Sequence, residues 1–262
     1  MASNKLLLLI TGGNQGLGYY AAKQLSASGR YHIFLGSRNF QKAEQAIASM
    51  KTDDSSPSNT ANIEPIQIDV NDDASIQAAA DYVLQKHGYL DVLMLNAGIS
   101  RAAGVESDLG PNEDGSGPSL REQYRQQYDT NVFGAAVCVD SFLPLLRKST
   151  APGGKRIAFT GSSTACLELA RTDPTHLNGK HYRLYRSTKT ALNMVMVSYA
   201  RELEDEGFVV SASNPGHCGT NLNLYKGLKD PREGAKVLVE CVEGRKEDVH
   251  GFLVDESGKL DW

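Results

Sequence analysis

The chain has 262 residues, of which 40% are hydrophobic and 22% are charged, with 25 glycines and 9 prolines. This composition is typical of a globular protein and excludes fibrous and mostly disordered classes. The 31 acidic and 27 basic side chains give a formal net charge of −4, so we expect no broad positive field that would bind nucleic acid or an anionic membrane. The length predicts one large domain.

The cysteines and the first apolar run indicate the cellular compartment. Cys138, Cys166, Cys218 and Cys241 form no C-x-x-C pair and have no histidine cluster at metal-ligand spacing. We therefore expect reduced thiols, no metal and a cytoplasmic protein. The apolar run at 6–10 is shorter than the ~7–15 residues of a signal-peptide core, so it predicts a buried strand instead.

Short apolar runs alternate with longer amphipathic stretches, a pattern typical of β-α-β units in a parallel sheet. The apolar runs predict strands at 5–10, 31–36, 63–68, 90–95, 155–160 and 208–213, with a weaker seventh at 252–254. The intervening stretches predict helices at 16–28, 40–50, 74–86, 120–146, 182–204 and 231–243. The expected fold is an α/β, Rossmann-type, doubly wound parallel sheet of six or seven strands with helices on both faces.

Three irregular segments interrupt this alternation, at 52–62, 100–119 and 167–181. The alternation resumes after each of them, so they are predicted to be a polar connection and two insertions within one domain spanning 1–262. We expect the two insertions, together with residues 221–230, to shape a substrate pocket.

A glycine-rich turn follows the first strand, where residues 11–18 read TGGNQGLG and lead into a helix. In a doubly wound fold this position binds a dinucleotide pyrophosphate. Gly12 can make the tight turn, Gly16 lets the backbone approach the phosphates, and Gly18 lets helix and strand pack closely. The alternative is a plain glycine-rich turn, and the flanking strand and helix favour dinucleotide binding. No Gly-Lys-Ser/Thr follows, which excludes a P-loop.

The end of the second strand predicts which dinucleotide is bound. About 20 residues after the turn, an NAD site offers a carboxylate to the ribose 2′-hydroxyl, whereas an arginine accommodates a 2′-phosphate. This chain has Ser37, Arg38 and Asn39 there. A guanidinium pairs well with phosphate, so NADP(H) is predicted over NAD(H). The alternative is an ordinary surface arginine.

The motifs, taken together and in order, resemble those of the short-chain dehydrogenases/reductases over nearly the whole chain. After the glycine turn come Asp69-Val70, Asn96-Ala97-Gly98, Asn131, Ser162, Tyr185-x3-Lys189 and Asn214-Pro-Gly-x3-Thr220. The order matters because Tyr-x3-Lys alone occurs four times, at 19/23, 82/86, 185/189 and 225/229. Only the pair at 185/189 follows the fifth strand and opens the long helix after it. The sequence looks most like NADPH-using members similar to carbonyl reductase or retinol dehydrogenase.

The tyrosine and lysine of this pair can perform acid-base chemistry. Residues four apart share a helix face, so Lys189 can place a positive charge near the Tyr185 phenol. A free phenol has a pKa of ~10, and a nearby ammonium favours its ionised form, so we expect Lys189 to lower the Tyr185 pKa towards neutrality. Tyr185 is then predicted to be the general acid in carbonyl reduction and the base in the reverse direction.

The resemblance implies further roles. Ser162 would hydrogen-bond the carbonyl oxygen, with Ser163 as its rival. Asn131 would complete a proton relay through a water next to Lys189; the alternative is a helix residue bonded to its own backbone. The residues expected at the cofactor are Gly12, Asn14, Gln15, Gly16, Leu17, Gly18, Ser37, Arg38, Asn39, Asp69, Val70, Asn96, Ala97, Gly98, Tyr185, Lys189, Pro215, Gly216 and Thr220.

Two departures from the family pattern qualify the resemblance. Ser162 and Tyr185 are 23 positions apart, wider than is common in the family, so the intervening segment must loop out, which puts the usual dimer or tetramer interface in doubt. Gln15 stands where NADP-specific members often have a basic residue. Residues 216–230 are expected to form a substrate lid, with His217 and Cys218 as loop residues lining the pocket.

The predicted function is an NADPH-dependent reductase of a ketone or aldehyde, reversible as an alcohol dehydrogenase. Its expected partners are a small-molecule substrate and copies of itself, with a monomer not excluded. Two alternatives stay open on the same scaffold. One is a redox-sensing module that binds NADP(H) without turnover, and the other is a non-redox or bifunctional biosynthetic enzyme such as a cyclase or isomerase.

Overall fold

The computed structural model describes residues 5–53, 58–105, 116–172 and 182–262. Its described residues form one sheet of eight strands in the order β3-β2-β1-β4-β5-β6-β7-β8. The strands are β1 (Leu6–Ile10), β2 (Tyr31–Ser37), β3 (Ile63–Gln67), β4 (Val92–Leu95), β5 (Arg156–Thr160), β6 (Val209–Ser213), β7 (Leu253–Asp255) and β8 (Gly258–Leu260). β1 to β7 run parallel, as predicted, and β8 is antiparallel to β7.

Helices cover both faces of the sheet and confirm the doubly wound fold. They are α1 (Gly16–Ala27), α2 (Phe40–Thr52), α3 (Asp73–His87), α4 (Leu120–Tyr128), α5 (Gly134–Arg147), α6 (Leu167–Thr172), α7 (Arg183–Glu202), α8 (Pro231–Glu243) and α9 (Lys246–Val249). One core, with Phe142 and Met196, lies between the sheet and α3, α5 and α7. The other, with Leu25 and Leu238, lies under α1, α2 and α8.

The two cores explain why the apolar runs fold as central strands. All five residues of β1, Leu6–Ile10, are buried, because a parallel strand covered by helices on both sides needs apolar side chains on both faces. The same holds for β5 and β6. These strands end at one edge of the sheet, and the loops that follow them build the site described below.

The structure departs from the predicted elements in three places. The helix predicted at 120–146 is interrupted by a π-helical turn, Asp129–Phe133, between α4 and α5. The segment predicted to be irregular at 167–181 begins with α6, and residues 173–181 lie outside the described residues, as do 106–115 of the insertion at 100–119. β8 was not predicted because its three residues carry no apolar run.

One helical stretch of the described chain, Leu120–Arg147, is long and apolar enough to cross a membrane. However, 56% of its most apolar window is buried inside the protein, and Cys138, Val139 and Phe142 belong to the core beneath α3. A core helix of a globular domain has the same length and composition, so we interpret this stretch as a core element.

Candidate active site

A cleft of about 1250 Å³ opens at the carboxyl ends of the parallel strands. It lies where the strand order reverses between β1 and β4, which is the ligand-binding position of doubly wound sheets. The predicted site residues that line it are Gly12, Asn14, Gln15, Gly16, Leu17, Ser37, Arg38, Asp69, Val70, Asn96, Ala97, Gly98, Ser162, Tyr185, Lys189, Pro215, Gly216 and Thr220. Three other predicted residues, Gly18, Asn39 and Asn131, are not part of the lining.

The glycine turn connects β1 to α1 and has the shape that its sequence predicts. Gly12 adopts a left-handed conformation with φ +62°. A Cβ atom on Gly18 would lie 2.8 Å from the Gly12 carbonyl oxygen and overlap the Asn96 side chain. A side chain at Gly18 would therefore push α1 away from the turn, and a side chain at Gly12 would be strained in that conformation and crowd Ala97. The turn keeps its backbone exposed to the cleft.

The N-terminus of α1 is suited to an anion. Gln15 occupies the N-cap position with no side-chain hydrogen bond to the helix, and the first turn contains no acidic residue. The N–H groups of a first helical turn have no partner within the helix and sit at the positive end of its dipole. Because Gln15, Gly16 and Leu17 line the cleft, these groups fit a pyrophosphate.

Thr11 and Asn96 fix the turn against β4. The Asn96 side-chain amide donates to the carbonyl oxygens of Thr11, at 3.1 Å, and Gly12, at 2.9 Å. The backbone N–H groups of Asn96 and Ala97 both donate to the Thr11 hydroxyl, at 3.0 and 3.1 Å. The Asn96 side chain thus supports the turn, and its predicted cofactor contact stays a prediction. Thr11 was left out of the predicted site, although a hydroxyl at the end of a strand signals this use.

Two basic residues lie at the end of the cleft next to β2. Arg38 follows β2 and Lys42 lies in the first turn of α2; both are exposed, line the cleft and form no ion pair within the described residues. Ser37 is buried, and its hydroxyl accepts from the Asn39 N–H at 3.3 Å. The sequence analysis did not predict Lys42, although its position four residues after Arg38 could have indicated it.

Asn39 has a structural role that the sequence analysis did not predict. Its side-chain oxygen accepts from the Lys42 N–H at 3.0 Å and caps α2, which begins at the next residue. Asn39 thus caps α2, and its predicted cofactor contact stays a prediction. Asp69 and Val70 do line the neighbouring wall, and the Asp69 carboxylate accepts from the Asn71 N–H at 3.0 Å.

Tyr185 and Lys189 stand one turn apart on α7 and face the other end of the cleft. The Lys189 ammonium lies 5.6 Å from the centre of the Tyr185 ring and donates to the Thr160 carbonyl oxygen at 2.7 Å. Lys189 is 3% exposed. As predicted, this is the one Tyr-x3-Lys pair in which both residues line the cleft, within the described part of the chain.

Burial controls the acid-base properties of both side chains. It raises the pKa of Tyr185 above its ordinary value of 10.0 and lowers the pKa of Lys189 from 10.5 to about 8. The predicted lowering of the Tyr185 pKa is therefore wrong for the protein by itself. The physical reason is that Lys189 donates to the Thr160 carbonyl, while both groups lose hydration in the cleft wall.

Asn131 connects the loop after β4 to α7. Its side-chain oxygen accepts from the Ile99 N–H at 2.8 Å, and its amide donates to the Ile99 carbonyl, at 2.8 Å, and to the Thr188 hydroxyl, at 3.0 Å. The alternative of a residue bonded to its own backbone is thus wrong. Because the amide is occupied in this way, Asn131 positions the helix turn that carries Lys189; the predicted water relay stays a prediction.

Ser162 and Ser163 follow β5 and both line the cleft. The Ser162 hydroxyl accepts from the N–H and the hydroxyl of Thr164, at 3.2 and 2.9 Å. The Ser163 N–H donates to the Asn214 side chain at 2.9 Å. Ser162 and Tyr185 therefore line the same cleft despite their wide spacing in the chain.

Several residues of the segment predicted to be a lid line the cleft. The Ser100 hydroxyl, after β4, donates to the Leu222 carbonyl oxygen at 2.7 Å, and Lys229 forms an ion pair with Glu256 at 2.7 Å. His217 and Cys218 line the cleft as loop residues, as predicted. The Cys218 thiol donates to the Pro215 carbonyl at 3.2 Å, and burial raises its pKa, so it is a poor nucleophile.

Comparisons with known proteins indicate the family of the chain. The sequence profile described as short chain dehydrogenase matches residues 7–230. The short-chain dehydrogenase anuI of Penicillium roqueforti is 38% identical over 262 residues, 99% of this chain and 97% of that protein. The short-chain dehydrogenase/reductase tropE of Talaromyces stipitatus is 33% identical, covering 98% of each chain.

Solved structures share the fold. Salutaridine reductase from Papaver somniferum superposes with a TM-score of 0.75 at 23% identity, covering 95% of this chain and 99% of that one. The NADPH-bound carbonyl reductase from chicken fatty liver gives a TM-score of 0.75 at 22% identity, covering 98% of this chain and 100% of that one.

The fold and the site define a class of oxidoreductases that bind a nicotinamide dinucleotide at the edge of a doubly wound sheet. The chain belongs to the short-chain dehydrogenase/reductase family. Members of this family use NAD(P)(H) and act on small-molecule substrates.

Proposed function

We propose that this protein is an NADPH-dependent reductase that transfers a hydride to the carbonyl carbon of a ketone or aldehyde. The observation that carries the proposal is the meeting of Ser162, Tyr185 and Lys189 in one cleft with the glycine turn. Ser162 follows β5, the other two lie in α7, and the glycine turn follows β1. A proton donor and a hydrogen-bond donor for oxygen thus share a cleft with a dinucleotide cradle.

The choice of NADPH rests on the charge at the end of β2. Arg38 and Lys42 line the cleft there with no carboxylate paired to them in the described chain, and Ser37 offers a hydroxyl beside them. Two cations favour a 2′-phosphate, which a carboxylate would repel. The first turn of α1 would hold the pyrophosphate, and Lys189 would bind near the nicotinamide end.

The mechanism follows from the state of each side chain. The cofactor supplies the hydride when it is bound. Ser162 donates a hydrogen bond to the substrate oxygen, and Tyr185 gives its phenolic proton to that oxygen as negative charge develops there. The phenol holds its proton at neutral pH, and because burial raises its pKa, transfer of that proton requires stabilisation of the phenolate. Lys189 then offsets the charge of the phenolate that remains.

Removal of the phenolic hydroxyl tests this assignment. Tyr185→Phe keeps the ring and removes the proton donor, so carbonyl-dependent oxidation of NADPH should fall by at least about 10²-fold, within the range of acid-base catalysis. NADPH binding, measured by fluorescence, should persist. We would use 4-nitrobenzaldehyde and phenanthrenequinone as carbonyl probes. Full activity in Tyr185→Phe would contradict the proposed mechanism.

The same assay separates the two alternatives. A redox-sensing module would bind NADPH and oxidise none with any carbonyl, and the intact set of Asn131, Ser162, Tyr185 and Lys189 argues against it. A cyclase or isomerase would convert its substrate without net consumption of NADPH. The cytoplasmic location and association into a dimer or tetramer remain predictions.

A further inference from the structure

Thr164 hydrogen-bonds the Ser162 hydroxyl, and the proposed reaction gives Thr164 no role. Ser162 caps a short 3-10 turn, Ser163–Ala165, which begins where β5 ends. Thr164 lies in this turn, is 6% exposed and lines the cleft. Its N–H and its hydroxyl both reach the Ser162 oxygen, at 3.2 and 2.9 Å. Thr164 therefore offers two donors to one serine oxygen.

The number of hydrogen bonds that a hydroxyl can make determines which of them Ser162 still has free for the substrate. A serine hydroxyl has one proton to donate and two lone pairs to accept with. When both Thr164 donors occupy the lone pairs, the Ser162 proton is left for an acceptor in the cleft. We infer that Thr164 is a positioning residue that makes Ser162 a hydrogen-bond donor to the substrate carbonyl oxygen. This inference rests on the proposed function.

The direction of the hydrogen bond between the two hydroxyls follows from their surroundings. Within the described chain the Thr164 hydroxyl has no hydrogen-bond partner other than Ser162. A carbonyl that accepts from Ser162 leaves the Thr164 proton to bond the Ser162 oxygen. The chain Thr164 to Ser162 to carbonyl then polarises in one direction, and each hydrogen bond strengthens the next.

The turn that carries Thr164 is fixed to α7. The Arg186 Nε donates to the Thr164 carbonyl oxygen at 3.1 Å, and the Thr190 hydroxyl donates to the Ala165 carbonyl oxygen at 3.0 Å. Tyr185 and Lys189 belong to the same helix. The orientation of Ser162 is therefore set relative to the proton donor Tyr185.

Ser163 lacks this support. Its backbone N–H is held by Asn214, but no hydrogen bond joins its hydroxyl to any residue that the structure describes. A freely rotating hydroxyl must be ordered by the substrate, at a cost in conformational entropy. The contrast favours Ser162 over its neighbour as the donor to the carbonyl.

A pair of substitutions at Thr164 tests the inference. Thr164→Val keeps the branched shape and removes the hydroxyl, and Thr164→Ser keeps the hydroxyl. We expect Thr164→Val to lower kcat with 4-nitrobenzaldehyde about fivefold to tenfold, as for loss of one hydrogen bond, with the KM for NADPH unchanged. Thr164→Ser should restore kcat to within about twofold. Ser198→Ala removes an exposed α7 hydroxyl that bonds the Met194 carbonyl, and serves as the control.

A double-mutant cycle distinguishes positioning from a general structural effect. Thr164 acts through Ser162, so Thr164→Val should have no further effect on kcat in a Ser162→Ala background. An equal loss in both backgrounds, full activity of Thr164→Val, or no restoration by Thr164→Ser would each overturn the inference. If Thr164→Val fails to fold, Thr164→Ala takes its place in the cycle. Full activity of Ser162→Ala and Tyr185→Phe would instead overturn the proposed function.

Discussion

Arg38 and Lys42 are four residues apart, yet we expect them to contribute unequally to the choice of cofactor. A guanidinium binds phosphate through two parallel hydrogen bonds, whereas an exposed ammonium acts as a single, well-hydrated charge. Arg38→Asp should therefore lower the NADPH over NADH ratio of kcat/KM by about 10–100-fold, as for loss of a charged hydrogen bond. Lys42→Gln should lower it about twofold to fivefold.

The matched control for this prediction is Lys51→Gln, which removes an exposed charge at the opposite end of α2. It should leave the ratio unchanged. The measurement is steady-state oxidation of both cofactors at one ionic strength, because surface electrostatic effects are screened by salt. A wild-type preference for NADH would contradict the assignment of NADP(H).

Elements differ in how far the sequence predicts them. β1, β5 and β6 were predicted because burial on both faces requires runs of apolar residues, which are visible in sequence. β8 is short and partly exposed, and it forms by pairing with β7, a tertiary contact that leaves no local pattern. The π-helical turn at Asp129–Phe133 is likewise invisible, because its five residues fit a continuous helix equally well.

The site shows the same division between local and tertiary signals. The glycine turn and the Tyr185-Lys189 pair have fixed spacing along the chain, so their positions were predictable. The use of Asn39 as a helix cap and the hydrogen bonds from Thr164 to Ser162 depend on where elements begin. The pKa of Tyr185 was predicted in the wrong direction because burial and the contact of Lys189 with Thr160 are tertiary properties.

The lid offers a prediction at the scale of one element. The hydrogen bond from Ser100 to the Leu222 carbonyl joins the loop after β4 to the 3-10 turn Asn221–Asn223. Loss of this contact should open the lid more often and raise the substrate KM about threefold to tenfold, with little change in kcat or thermal stability. Ser100→Ala tests this by steady-state kinetics with phenanthrenequinone.

Ser49→Ala is the control, since the Ser49 hydroxyl likewise donates to a backbone carbonyl, that of Gln45 in α2, and Ser49 is exposed and distant in sequence from the lid. It should not change KM. An unchanged KM in Ser100→Ala would show that this contact does not hold the lid over the substrate.

For the whole molecule, burial of Lys189 in the site lowers the stability of the fold. Burial lowers the pKa of this lysine from 10.5 to about 8. Between these values the unfolded chain holds a proton on the amine that the folded chain lacks, so the contribution of Lys189 to stability rises as pH increases from 8 to 10.5. Below pH 8 the buried charge costs about 3 kcal/mol, at about 1.4 kcal/mol per pKa unit.

Lys189→Met tests this cost, since it removes the charge and keeps an unbranched side chain of similar length. The variant also loses the hydrogen bond to the Thr160 carbonyl at every pH, so the informative quantity is the change in the stability difference with pH. Relative to wild type, the variant should lose about 3 kcal/mol of unfolding free energy between pH 7 and 10.5. Urea unfolding measures it, with Lys148→Met, at an exposed lysine after α5, as control. A constant difference would show that Lys189 has the same pKa in the folded and unfolded chains, and that the fold bears no such cost for its acid-base site.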